Sequence, residues 1–168
     1  MDTTTFSLII AVVALILAIA AFLKKPAKQE TPAAATISKE SATLKLQAYE
    51  RLVLLTERIA LPNLISRLNQ PGISAYEMKL MLIENVKAEF DYNSTQQLYV
   101  TPVCWDAVRN LKEQNIMIIN KVAAMLPPTA SAQDLNKQLL ELLMAQPNSS
   151  LHEMVLQALN YEAQKLMQ

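Results

Sequence analysis

Residues 101–128 read TPVCWDAVRNLKEQNIMIINKVAAMLPP, and this stretch decides the fold class. Thr101 offers a side-chain cap, and Pro102 suits the first helical position, where its missing amide costs nothing. Cys104, Val108, Leu111, Ile118, Val122 and Met125 then recur at spacings of three, four and seven, which places them along one side of a helix. Pro127-Pro128 stop it. A long helix with one apolar stripe must bury that stripe against other helices, so the sequence predicts an all-α bundle.

Working outward, the same grammar repeats. Ser74-Ala-Tyr-Glu77, Ser131-Ala-Gln-Asp134 and Ser150-Leu-His-Glu153 are capping-box patterns, in which each side chain can satisfy a free backbone amide of the other residue. The first opens a helix with a stripe of Tyr76, Leu80, Ile83 and Phe90 and a neighbouring one through Met78 and Leu82. The second carries Leu135, Leu139, Leu142 and Leu143; the third carries Leu151, Met154, Val155, Ala158, Leu159 and Leu166. Upstream, Leu46, Tyr49, Leu52, Val53, Leu55 and Ile59 line a helix from about Ser38 to Ala60, with Lys45, Glu50, Arg51, Glu57 and Arg58 on its polar side. Pro62 interrupts or restarts that helix, and Pro71-Gly72 marks a turn. QQLYV, at 96–100, is too short to classify. About five helices are expected between 38 and 168.

The N-terminal stretch is of another kind. Phe6 to Leu23, FSLIIAVVALILAIAAFL, contains no charge and no proline. As a helix it would extend about 27 Å, near the roughly 30 Å of a bilayer's hydrocarbon. Asp2 precedes it, whereas Lys24, Lys25 and Lys28 follow. The charge order argues against a cleaved signal peptide, which would begin with basic residues. It predicts a single-pass anchor contacting the lipid bilayer through residues 6–23, with the N-terminus outside a bacterial inner membrane and the body cytoplasmic. Ser7, Ala11, Ala14, Ala18 and Ala21 form a small-residue seam that could pack two such spans, although seams of this kind also arise by chance in alanine-rich helices. Residues 24–37, with Pro26 and Pro32, read as a tether. The expected organisation is therefore anchor 1–23, linker 24–37 and helical bundle 38–168.

Composition excludes more than it assigns. Fifteen basic residues balance fifteen acidic ones, and no basic stripe points to nucleic acid. A single glycine rules against phosphate-cradling loops, and one histidine with one cysteine rules against ordinary zinc and di-iron sites. No catalytic, cofactor-binding or metal-ligating residues are assigned, and no cofactor is expected.

The stretch AEFDYNSTQQLYVTPVCWDAVRNLKEQ, Ala88 to Gln114, resembles a segment of an uncharacterised family of bacterial membrane-anchored helical proteins. The residues that carry the resemblance are Glu89, Phe90, Asn93, Gln96, Gln97, Tyr99, Val100 and Trp105. It implies an anchored helical architecture and no activity.

Within that stretch, Phe90, Tyr92, Asn93, Gln96, Gln97, Tyr99 and Trp105 concentrate aromatics and amides, as a partner surface or a structured interhelix corner would. Two enzymatic readings need weighing. Cys104, near a helix N-terminus, could be a nucleophile only with His152 as its base. Glu77, Glu84 and Asp91 share a heptad spacing that a solvated acidic face explains more simply than catalysis. Asn93-Ser-Thr95 and Asn148-Ser-Ser150 match glycosylation sequons, irrelevant to a cytoplasmic body. The leading expectation is a membrane-tethered interaction or scaffold module with a protein partner or its own copies. A small hydrolase and a lipid or small-ligand binder are the alternatives.

Overall fold

The computed structural model describes residues 32–145 and 151–167, with side chains from residue 40 onward. By internal contacts the chain divides into two units, Met1–Ser38 and Lys39–Gln168. Among the described residues the fold is all-α, with six α-helices and one 3-10 helix. They are α1 Pro32–Ile59, α2 Leu61–Leu68, α3 Ala75–Tyr92, the 3-10 helix Ser94–Leu98, α4 Pro102–Met125, α5 Ala132–Met144 and α6 Leu151–Lys165.

Local chemistry sets the boundaries. Pro62 sits in the first turn of α2, so it restarts the helix rather than merely bending it; α2 is the element missing from the expected five. Gly72, at φ +84°, makes the turn into α3 that a side chain would resist. Ser74 and Glu77 form a complete capping box on α3, as Ser131 and Asp134 do on α5. Thr101 caps α4 by accepting from the Cys104 amide. α1 is described from Pro32, ahead of the Ser38 start expected.

The two boxed helix starts are joined. The Ala75 N–H donates to Ala130 O (2.9 Å), and the Ala132 N–H donates to Ile73 O (3.0 Å). These bonds make an isolated antiparallel bridge between Ser74 and Ser131. Amides that a helix start leaves unpaired are thereby satisfied across the bundle, and α3 and α5 are fixed to a common origin.

Packing is continuous from α1 to α6. Leu52, Leu55, Ile59, Leu64, Met78, Leu82, Val86, Val108, Ile119, Leu135, Leu139 and Leu159 are fully enclosed. Each contributes about 1.5–3 kcal/mol of transfer free energy, opposed by the chain's conformational entropy. Polar bonds pin α1 onto α4. The Tyr49 hydroxyl accepts from the Thr101 N–H at 3.1 Å, and buried Asn115 donates to Ile59 O at 2.8 Å.

Some faces differ from the sequence reading. In α3 the buried residues are Ala75, Met78, Leu82, Val86 and Phe90, while Tyr76 and Leu80 of the expected main stripe are exposed. Met78 and Leu82 of the neighbouring stripe face the core together with Phe90 of the first, whereas the tyrosine and leucine at 76 and 80 face solvent. In α4, Ile119 rather than Ile118 is fully buried, Met125 is exposed, and polar Asn115 occupies a core position that an apolar pattern passes over.

The membrane expectation is corrected. No helix among the described residues is long and apolar enough to cross a membrane. Residues 6–23, including the seam Ser7, Ala11, Ala14, Ala18 and Ala21, lie outside the described residues. The single-pass topology, the bilayer contact, the outside N-terminus and the cytoplasmic body all rested on that run's hydropathy and its flanking lysines. No helix among the described residues supports them.

Candidate functional site

A groove of about 540 Å³ runs along the surface between α1 and α3 and is open to solvent along one side. Arg51, Leu54, Leu55 and Arg58 line its α1 wall; Ala88, Glu89, Tyr92 and Asn93 line the wall made by the end of α3. The helical repeat explains the first set. Spacings of three, four and seven put Arg51, Leu54, Leu55 and Arg58 on one stripe. Leu55 is buried and forms the floor, whereas Leu54, at 59 % exposure, stands in the wall.

The polar groups at one end are held in place. Arg58 donates through Nε (2.7 Å) and Nη2 to the same oxygen of Glu89. Arg67 brings its Nη2 to 3.6 Å of that oxygen from α2. The hydrogen bond from Arg58 to Glu89, and then the carboxylate's charge, hold the guanidinium above its ordinary pKa, so Arg58 is a permanent cation. Asn93 donates from Nδ2 to Glu89 O at 2.9 Å and closes α3.

The aromatic and amide cluster singled out in the sequence divides between core and surface. Phe90, Asn93 and Trp105 are buried, and the Phe90 and Trp105 rings lie 4.9 Å apart at a tilt of 33°. Lys112 Nζ stands 4.4 Å from the Phe90 ring centre, a cation–π contact that covers the ring's outer face. Tyr92 (77 % exposed), Gln96, Gln97 and Tyr99 face outward to varying degrees. Tyr92 and Asn93 alone of the seven line the groove. Arg51, Leu54, Leu55, Arg58, Ala88 and Glu89 were not singled out as a site. The available signal was Leu54, an apolar side chain flanked along its stripe by Arg51 and Arg58.

The enzymatic readings do not assemble. Cys104 is buried, 1 % exposed, and its thiol donates to Ala158 O at 3.8 Å. α6 does fold back against the start of α4. His152 lies six residues before Ala158, about 9 Å along the helix at 1.5 Å per residue, and its Nε2 is 3.7 Å from Glu57 Oε1 of α1. Base and thiol therefore serve different contacts, and the hydrolase reading through Cys104 is withdrawn. The acidic face is equally dispersed: Glu77 is engaged in its capping box, and Glu84 and Asp91 are exposed. Among the described residues no group of three or more His, Cys, Asp or Glu side chains could hold a metal ion.

Comparison with curated proteins and with solved structures finds no match for the chain. A family model described as a family of unknown function (DUF7935) matches residues 1–166. Of the architecture implied by the resemblance, the uncharacterised all-helical domain stands; the membrane anchor is the part corrected above. With the match running almost end to end, the chain belongs to DUF7935, a family of unknown function.

Proposed function

We propose that the helical body is a binding module, not an enzyme, and that the α1–α3 groove is where it takes a small ligand with an apolar body. One observation carries this reading. The groove's volume falls within the range of small-molecule sites, and its walls pair apolar surface with a few fixed polar groups. Both walls are helices packed on the common core, so the groove is present before any ligand arrives. That lowers the cost of association. Leucine side chains occupy the interior, so the ligand is taken at the surface groove.

The test is to plug the groove. Ala88 is exposed on its wall, so Ala88→Trp can fill space there without entering the core. A fragment library screened by ligand-observed NMR against the full chain should yield hits with apolar bodies that Ala88→Trp loses while its helicity is unchanged. Hits shared equally by both proteins, or no hits at all, would refute the proposal.

A further inference from the structure

Arg51 and Arg58 are two helical turns apart on one face of α1, about 10 Å along the axis, with Leu54 and Leu55 between them. Their electrostatic situations differ. Arg58 is matched by Glu89, the one acidic residue in the lining. Glu89 is also approached by Arg67, so its charge is already met twice and does little to repel an arriving anion. Arg51 is exposed and has no ion-pair partner among the described residues. The groove thus presents an unmatched guanidinium at one end, an apolar floor in the middle and the ion-paired Arg58–Glu89–Arg67 cluster at the other.

Resting on the binding proposal above, we infer that the ligand is an anionic amphiphile, a medium-chain carboxylate. Its carboxylate lies on Arg51 and its chain runs over Leu54 and Leu55 beside Tyr92. A planar guanidinium meets a carboxylate through two parallel N–H donors. Arg51 offers one such fork, which a single carboxylate fills, while the guanidinium of Arg58 is already engaged by Glu89. The chain needs no polar partner until it reaches the Arg58–Glu89 pair, where it ends.

Isothermal titration of the full-length chain with decanoate and with decanol, both below their aggregation concentrations, separates head from tail. Decanoate should bind about tenfold or more tightly than decanol, the worth of one modest charge-assisted contact. Arg51→Gln should bring decanoate down to the decanol level and leave decanol unchanged, and Ala88→Trp should abolish both. Equal affinity of the two probes for the wild-type chain would overturn the carboxylate assignment while leaving groove binding intact, and needs no variant. Decanoate binding insensitive to Arg51→Gln would overturn it as well. Binding of both probes that survives Ala88→Trp would refute the groove itself.

Discussion

Replacing Asn115 by leucine removes a side chain that is 6 % exposed and whose Nδ2 donates to Ile59 O at 2.8 Å. Ile59 is the last residue of α1, where carbonyls have lost their intrahelical partners. Leucine is close in size, so little cavity is created and the loss is mainly electrostatic. A buried acceptor left unsatisfied costs about 1–3 kcal/mol, partly offset by burying a more apolar group. A net loss of about 2 kcal/mol should lower the melting temperature by roughly 4–8 °C for a chain of this size. Asn120 supplies the internal control: it lies on the same helix, is exposed, and donates to Ile116 O of its own turn at 3.0 Å. Asn120→Leu should change stability by no more than about 0.5 kcal/mol. Thermal unfolding followed by circular dichroism on both variants measures the difference. If the two substitutions cost the same, or Asn115→Leu stabilises, the buried bond is not what holds the end of α1 against α4.

Other outcomes follow from the same contacts. The Glu77 carboxylate is held below its ordinary range first by the Ser74 N–H and then by its hydroxyl, and Asp134 likewise by Ser131. The unfolded chain then takes up these protons at higher pH than the folded one, so the caps contribute fully above the ordinary carboxylate range. Their contribution fades as pH falls through the depressed folded values. Glu77→Gln with Asp134→Asn should flatten that acid limb of stability against pH; an unchanged limb would contradict the capping account. Tyr49→Phe deprives the Thr101 N–H of its 3.1 Å acceptor and should cost about 1 kcal/mol in a denaturant titration. Cys104 should resist a thiol reagent such as dithionitrobenzoate in the native chain and react once unfolded, and a fast native reaction would contradict its burial.

The fold was legible where local chemistry and helical period agree. The capping boxes at Ser74 and Ser131, the Thr101-Pro102 start and the Pro127-Pro128 stop all set real helix boundaries. Periodicity weakened where one helix carries two apolar stripes. In α3, Met78 and Leu82 face the core while Tyr76 and Leu80 face solvent, and nothing local tells the two sets apart. Asn115 was missed because a polar residue enters a core only for a partner that lies far away in sequence, here Ile59. The groove was hidden for the same reason. Arg58 and Glu89 meet across 31 positions, and neither residue's own helix shows why it should matter.

The most direct measurement of the central claim is a residue-resolved NMR titration of the full-length chain with decanoate. Amide and side-chain shifts should change in one cluster containing Arg51, Leu54, Ala88 and Tyr92, with the buried Leu52–Val108 core undisturbed. Shifts gathered on any other face of the bundle, or none at saturating decanoate, would contradict the assignment of the α1–α3 groove as the binding site.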